Sequence, residues 1–256
     1  MSLPSLMIAP NGARLQKADH PELPITIEET VDCALDCWKA GANGLHLHIR
    51  DNSGGHLLDE GVYREALAEL SHQVPDLPVQ ITTEAVGKYT PEVQRRIALM
   101  SGANLVSVSV REMLRGAASE FVRFNYACSA RGIAVQHILY DLDDCACLQS
   151  NLPSELLESP DLQIIFVLGR YTMGEGTNAG DLQPFLNWLR QLETKPDWAV
   201  CAFGKEEATC LVESVKAGGK CRIGFENSLF LPDGSIAKNN AEKVRAFLQM
   251  PEATVP

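Results

Sequence analysis

The chain has 256 residues, of which 45% are hydrophobic and 21% are charged, as in an ordinary globular protein. This length fits one α/β barrel. The formal net charge of -11 argues against a nucleic-acid binder and against docking on an anionic membrane. The chain shows no apolar run of membrane-spanning length and no signal-peptide pattern, so we expect a cytoplasmic protein with mostly reduced cysteines.

Short β-rich runs alternate with helical patterns along the chain. Thr26 and Glu29 predict a capping box for the first helix, and Gly41 predicts its end. The strand runs, in order, are "SLMIAPNG", "GLHLHIRD", "PVQITTEA", "NLVSVSVR", "IAVQHILYD", "QIIFVLG", "WAVCAFG" and "KCRIGFEN". Eight strand–helix units predict a parallel sheet closed into a single-domain (β/α)8 TIM barrel over residues 1–256. An open doubly wound sheet is the alternative, but no G-x-G-x-x-G follows the first strand.

The second strand, "GLHLHIRD", carries aliphatic residues on one face and polar residues on the other. In a barrel, the aliphatic face packs on helices and the other face points inward. His46, His48 and Arg50 are therefore predicted to point into the barrel. They lie toward the carboxyl end of the strand, where catalytic groups of such barrels collect.

Other strands show a similar polar face. Alternation places the following residues inside: Gln80, Thr82 and Glu84 on the third strand, Ser107 and Ser109 on the fourth, and Arg222, Gly224 and Glu226 on the eighth. A polar side chain buried without a partner costs about 2–7 kcal/mol. So many polar groups at strand ends predict a polar pocket at the barrel mouth.

His46 and His48 share a strand face and can chelate one ion, provided that a third ligand is available. Glu226 is the predicted third ligand, because barrel closure places the eighth strand two positions from the second, across the first. Such a set suits zinc, although iron or manganese can also bind. The alternative is that both histidines are hydrogen-bonded core groups.

The other histidines are not predicted to join this set. His20, His56 and His72 lie in loop or helix contexts and are predicted to face solvent. His137 has Asp141 nearby on its face. It either lines the pocket or sits in a satisfied interior.

These residues match a known family. The segments "LPITIEE", "AGANGLHLHIRD", "IIFVLG", "WAVCAFG" and "GGKCRIGFENSLFLPDGSIAKNNAEKV" resemble the β-keto acid cleavage enzymes. The resemblance runs nearly from end to end, and its most specific blocks are the second and eighth strands. It implies a (β/α)8 barrel with a divalent zinc, which reacts a β-keto acid with acetyl-CoA to give acetoacetate and a new acyl-CoA. It also implies a homo-oligomer.

The resemblance also implies site residues. His46, His48 and Glu226 take the metal-ligand positions, and Arg222 takes that of a catalytic arginine. Thr82 takes the position of a small hydroxyl residue that lines the site, and we group Ser107 with it as substrate-binding. Zinc would polarise the keto group, and Arg222 would stabilise developing negative charge.

The chain departs from the family pattern at the end of the eighth strand. The family usually has Glu-Asp-Asn, whereas this chain has Glu226-Asn227-Ser228. Asn227 stands at a catalytic position but cannot take a proton. We predict that Glu84 supplies the missing carboxylate; alternatively, Glu84 forms a salt bridge with an arginine at the mouth. Lys205 and the glycine-rich "GRYTMGEGTNAG" after the sixth strand also differ from the family.

Arg14 follows an Asn-Gly turn after the first strand and is predicted to lie at the barrel mouth. There its guanidinium would bind a carboxylate and repel an ammonium group. The expected substrate is then a β-keto acid with a neutral or anionic tail. Alternatively, Arg14 faces solvent and pairs with Asp19 or Glu22.

Two alternatives to acetyl-CoA-dependent cleavage stay open. One is a metal-dependent aldolase or retro-Claisen hydrolase that works without CoA. The other is a non-catalytic barrel that binds a metal or a metabolite, which the Asn227 change favours. Arg222, Glu226 and the two histidines argue against this last alternative, because only chemistry or ligand binding requires them inside a barrel.

Overall fold

The computed structural model describes residues 2–169 and 177–254. Most of the glycine-rich segment singled out after the sixth strand, residues 170–176, lies outside these ranges. Among the described residues, no helix combines the length and the apolar character that crossing a bilayer requires. The eight cysteines are all described, and none of them is in a disulfide.

Eight parallel strands close into a barrel, so the predicted (β/α)8 fold is confirmed. The barrel strands are β1 (Leu6–Ile8), β2 (Gly44–Leu47), β5 (Val79–Thr82), β6 (Leu105–Ser109), β7 (Ala134–Leu139), β8 (Gln163–Leu168), β9 (Asp197–Ala202) and β10 (Lys220–Ile223). Seven of them lie within a predicted strand run, and β9 begins one residue before its run, at Asp197. Neighbours in the barrel are neighbours in sequence, and β1 closes the ring between β10 and β2.

Two further strands form a small antiparallel hairpin just after β2. They are β3 (Ile49–Arg50) and β4 (His56–Leu57), with Arg50 opposite His56. The side chain of Asp51 accepts hydrogen bonds from the backbone nitrogens of Ser53 and Gly55, at 2.9 and 2.8 Å, which tightens the connecting turn. The chain therefore leaves the barrel sheet after His48.

Helices follow the barrel strands and cover the outside. They are α1 (Ile27–Lys39), α2 (Glu60–Gln73), α3 (Pro91–Met100), α4 (Val110–Met113), α5 (Ala118–Ala130), α6 (Leu142–Asn151), α7 (Ser154–Leu157), α8 (Gln183–Leu189), α9 (Glu207–Lys216) and α10 (Asn240–Leu248). A 3-10 turn over Ala179–Leu182 precedes α8. The capping box predicted from Thr26 and Glu29 begins α1, and such a cap contributes about 1 kcal/mol.

Alternation along each strand separates two apolar regions. Residues such as Ile8, Leu45 and Val106 point outward and pack with the helices in the main core. A smaller cluster that includes Met7, Ile165 and Ala199 fills part of the barrel interior. Polar residues occupy the remaining inner positions, and these positions build the site.

Candidate metal and substrate site at the barrel mouth

The two histidines reach the barrel interior because of the period of β2. Leu45 and Leu47 point to the helices, so His46 and the next alternate residue, His48, point inward. Both histidines are 1% exposed.

Glu226 lies on a bend that follows β10. Gly224, at the start of the bend, has φ 143° and lies against the backbone just after β1, where a Cβ would come within 2.2 Å of the Ala9 carbonyl oxygen. Only glycine fits this close approach without displacing the backbone. The Glu226 backbone N–H then donates to the Ala9 carbonyl at 3.1 Å, which carries the Glu226 side chain across β1 toward β2.

The three side chains converge as the sequence pattern predicts. The Nε2 atoms of His46 and His48 lie 3.2 Å apart. Glu226 places Oε2 at 3.6 Å from His46 Nε2 and Oε1 at 3.5 Å from His48 Nε2. One ligand atom from each residue lies within 4.8 Å of the others, which is the spacing of a group that can hold one metal ion.

The electrostatics of this cluster favour the protonation states that ligate a metal. Burial, reinforced by the positive charge of Arg222, holds the pKa of the His46 imidazole well below its usual value. Burial alone would raise the pKa of the Glu226 carboxyl, but Arg222 reverses this effect and holds it well below its usual value. A neutral His46 and an ionised Glu226 are therefore expected at neutral pH. Glu226 Oε2 is buried and has no hydrogen-bond partner among the described residues.

Arg222 borders the cluster on the eighth barrel strand. It is 3% exposed, and its Nη2 atom lies 3.8 Å from Glu226 Oε1. Nη1 donates to His46 Nε2 at 3.3 Å, and Nη2 contacts the Cys201 sulfur at 3.3 Å. A fixed, permanently charged donor therefore stands beside the candidate metal position.

Thr82 and Ser107 face each other across two neighbouring strands, in register. Thr82 Oγ1 accepts a hydrogen bond from the Glu84 backbone N–H at 3.1 Å. Ser107 is fully buried, and its hydroxyl has no hydrogen-bond partner among the described residues. The Ser107 hydroxyl is thus available to a bound molecule, whereas Thr82 already orients the backbone at Glu84.

Glu84 and Arg14 lie together at the mouth. Arg14 Nη2 lies 4.0 Å from Glu84 Oε1, and the two side chains are 69% and 10% exposed. The alternative predicted for Glu84 is a salt bridge with an arginine at the mouth, and Arg14 is that arginine. The alternative pairing of Arg14 with Asp19 or Glu22 is not the one observed; Asp19 instead accepts from the Gln16 backbone N–H at 2.8 Å.

Asn227 is directed away from the histidine cluster. Its Nδ2 donates to the Arg222 carbonyl at 3.1 Å and lies 3.3 Å from Glu207 Oε1. Glu207 in turn forms an ion pair of 2.6 Å with Lys243, and both side chains are 2% exposed. An aspartate at position 227 would face the Glu207 carboxylate at close range. Strand alternation does not predict Glu207 and Lys243, because both lie on helices, α9 and α10, outside the barrel.

Arg50 does not line the barrel interior, so that prediction is wrong. Its guanidinium donates to the backbone carbonyls of Asn11, Gly12 and Gly54, at 3.0, 2.8 and 2.7 Å. The chain has left the sheet at His48, and carbonyls of the loop after β1 accept hydrogen bonds from the Arg50 guanidinium. Arg50 therefore fixes the loops around the site.

Two of the three histidines predicted to face solvent are buried. His20 is 6% exposed and contacts the Ala237 carbonyl through Nε2 at 2.8 Å. His56 is 5% exposed, contacts the Glu84 carbonyl at 2.9 Å, and has its pKa lowered to about 3, chiefly by burial. The ring of Phe225 lies 4.4 Å from that of His20, and the ring of Tyr89 lies 6.1 Å from that of His56, so residues distant in sequence help to cover both histidines. His72 is exposed as predicted.

His137 takes the second of its two predicted environments. It points to the helix layer, where Nε2 contacts Asn125 Oδ1 at 3.0 Å and Nδ1 contacts the Gln163 carbonyl at 3.3 Å. It is 3% exposed. His137 is therefore a satisfied interior histidine and lies outside the site.

Comparisons with known proteins identify the family of this chain. A model of the β-keto acid cleavage enzyme family matches residues 5–254. The 3-keto-5-aminohexanoate cleavage enzyme of Fusobacterium nucleatum is 24% identical over 246 residues, which cover 93% of this chain and 88% of that protein. The 3,5-dioxohexanoate:acetyl-CoA acetone transferase of Paraburkholderia graminis is 25% identical over an alignment of 278 positions, which covers 95% of this chain and 88% of that protein. The 3-oxoadipate:acetyl-CoA acetyltransferase of Cupriavidus necator is 23% identical, and the alignment covers 93% of this chain and 85% of that protein.

Solved structures support the fold. ObcA in its binary complex with oxaloacetate superposes with a TM-score of 0.68 at 17% identity, over 88% of this chain. This chain spans 62% of the ObcA chain. A type I 3-dehydroquinate dehydratase from Clostridium difficile superposes with a TM-score of 0.61 at 9% identity, covering 100% of this chain and 95% of the other. With the family model matching nearly every residue, this chain belongs to the β-keto acid cleavage enzyme family.

Proposed function

We propose that this protein is an enzyme that exchanges acyl groups between a β-keto acid and acetyl-CoA, giving acetoacetate and a new acyl-CoA. The observation that carries the proposal is the convergence of His46, His48 and Glu226 beside Arg222, with all four side chains buried. Several relatives are named for acetyl-CoA-dependent transfer from β-keto acids, which supports the same reaction class here.

The proposal includes a divalent metal, with zinc as the expected ion. Two imidazole nitrogens and a carboxylate oxygen form a donor set that suits zinc and leaves a coordination position open. The buried, unpartnered Glu226 Oε2 supports this fit, because such an atom is costly unless a ligand satisfies it. A metal bound there would supply Lewis-acid polarisation of the substrate's keto group.

The other site residues have distinct proposed roles. Arg222 stabilises the negative charge that develops on the substrate oxygen, because its guanidinium is fixed by burial and cannot lose its proton. The Ser107 hydroxyl donates to the substrate, and Thr82 orients the backbone at Glu84. Glu84 accepts the proton that the family aspartate would take. The Asn227 amide faces Glu207 and not the histidine cluster, which supports Glu84 as the proton acceptor.

Arg14 and Glu84 define the substrate entrance in this proposal. The two side chains carry opposite charges, their nearest charged atoms lie 4.0 Å apart, and the Arg14 side chain is largely exposed. An anionic substrate tail can therefore reach Arg14, whereas an ammonium group would meet its positive charge. The proposed substrate is a β-keto acid with a neutral or anionic tail.

The test is a screen of β-keto acids with acetyl-CoA, in which acyl-CoA products are followed by mass spectrometry and metal is measured on the purified protein. We expect one ion per chain, as a single three-ligand site implies. The double variant His46→Ala, His48→Ala should lose the ion and the activity, whereas His72→Ala, which alters an exposed histidine, should lose neither. Unchanged metal content in the double variant would refute the metal site.

The products also separate the alternatives. Cleavage to free acids without an acyl-CoA would indicate a hydrolase or aldolase that works at the same site without CoA. Binding of a β-keto acid without any turnover would indicate a non-catalytic barrel. Assembly as a homo-oligomer in the cytoplasm is part of the proposal, and light scattering tests the number of subunits.

A further inference from the structure

A chain of buried amides leads away from His46 through the barrel interior. His46 Nδ1 lies 2.8 Å from Gln80 Oε1, and Gln80 Nε2 donates to Gln136 Oε1 at 3.0 Å. Gln136 Nε2 then donates to the Ile164 carbonyl at 3.3 Å. His46, Gln80 and Gln136 are each no more than 1% exposed. We refer to Gln80 and Gln136 together as the glutamine relay.

The direction of every bond in the relay follows from its far end. A backbone carbonyl can only accept, so the Gln136 atom beside Ile164 is its amide nitrogen. Gln136 therefore presents its oxygen to Gln80, and Gln80 must present its nitrogen to that oxygen. The Gln80 oxygen is left for His46, so the proton between them belongs to His46 Nδ1.

The opposite edge of the ring leads to the same assignment. Arg222 Nη1 lies 3.3 Å from His46 Nε2. A guanidinium nitrogen can only donate, so His46 Nε2 accepts with its lone pair. Both edges of the imidazole thus favour the tautomer with the proton on Nδ1.

We propose that Gln80 and Gln136 are positioning residues that hold His46 in the Nδ1-protonated tautomer and so keep the Nε2 lone pair available to a metal. The metal part rests on the proposed function, whereas the tautomer is a property of the chain alone. Without Gln136, the Gln80 amide can rotate by half a turn and present N–H groups to Nδ1. The proton would then favour Nε2, where it would exclude a metal ion.

The experiment compares the wild type with Gln136→Met and Gln136→Glu. In the metal-free protein at neutral pH, histidine-selective 15N labelling with two-bond 1H–15N correlation shows which His46 nitrogen carries the proton, and His46→Asn assigns its signals. Competition with a chelator gives the zinc affinity of each variant. Gln136→Met should yield mixed tautomers and about 10–100-fold weaker zinc binding, the usual effect of losing such a supporting partner.

Gln136→Glu is the conservative rescue, because its carboxylate still accepts from Gln80 Nε2 and so preserves the Gln80 orientation. It should keep the wild-type tautomer, although it also loses the bond to Ile164. Gln94→Met is the matched control: Gln94 is equally buried but lies on α3, where it donates to the Thr83 carbonyl at 2.7 Å. It should change neither readout.

The outcomes distinguish this inference from the metal proposal. A wild-type His46 protonated at Nε2, or a wild-type tautomer in Gln136→Met, would overturn the relay. A wild type that shows the expected tautomer and its loss in Gln136→Met, yet binds no zinc, would refute the metal site and leave the relay intact.

Discussion

Lys243 Nζ lies 2.6 Å from Glu207 Oε2, and the two side chains form an ion pair that is almost completely buried behind the bend carrying Glu226. Glu207 Oε1 also accepts from the Gly224 backbone N–H at 3.1 Å. Lys243 donates in addition to the Phe230 carbonyl at 2.6 Å. The pair therefore links α9 and α10 to the backbone that places the third candidate ligand.

Lys243→Met should strongly destabilise the protein, because it leaves the Glu207 charge buried without a partner. Breaking such a pair costs about 3–5 kcal/mol. Adding Glu207→Gln should recover much of that loss by removing the uncompensated charge. Urea unfolding measures both variants. Lys216→Met, which breaks exposed contacts with Glu213 and Glu252, should cost at most about 1 kcal/mol per contact. An equal loss in both lysine variants would contradict the role of burial in the Lys243 pair.

Glu84→Gln should lower turnover while leaving metal content unchanged. A general acid–base group contributes about 10²–10⁴-fold, and the amide cannot take the proton. The steady-state rate and the metal content are both measured. The same assay on Arg14→Gln and on the double variant Arg14→Gln, Glu84→Gln tests whether Glu84 acts through its ion pair with Arg14. Near-normal turnover in Glu84→Gln would mean that Glu84 acts only as the ion-pair partner of Arg14.

Arg14→Glu should weaken the use of a β-keto dicarboxylate relative to a substrate with a neutral tail. The Arg14 side chain is 69% exposed, so solvent screens its interactions and a contact is worth about 0.2–1 kcal/mol. That corresponds to at most about a fivefold change in kcat/KM. Arg14→Gln should show a smaller change of the same sign. A wild type that prefers an amino-substituted β-keto acid would exclude this role for Arg14.

His137 should make stability depend on pH. Burial lowers its pKa to about 4 in the folded protein, against about 6.5 in an unfolded chain. Between these values the unfolded chain binds the proton more tightly, so the stabilisation is present above about pH 6.5 and is lost as the pH falls toward 4. The full loss amounts to about 3 kcal/mol.

Urea unfolding at several pH values measures this contribution. His137→Gln removes the titrating group, so its stability should fall less steeply between pH 6.5 and 4 than that of the wild type. His72→Gln changes an exposed histidine and should keep the wild-type slope. Parallel pH profiles for the wild type and His137→Gln would contradict the role of burial at this residue.

The sequence alone predicted the eight barrel strands, the closed barrel and the inward direction of His46 and His48. Alternation is a local property, so "GLHLHIRD" already assigns His46 and His48 to the opposite face from their leucines. The order of strands in a closed barrel then brings the eighth strand near the second. The same strand order predicts that Glu226 and Arg222, on the inner face of the eighth run, lie near the histidines.

Only the tertiary structure decided which partner each inward or buried polar group has. His46 meets Gln80 across 34 positions of sequence, and Gln80 meets Gln136 across 56. The same holds for the Glu207–Lys243 pair and for the carbonyls that bind Arg50. A strand pattern gives the face of a side chain, but hydrogen-bond partners depend on angles and distances between elements far apart in the chain. Those distances are set by the packing of the whole barrel.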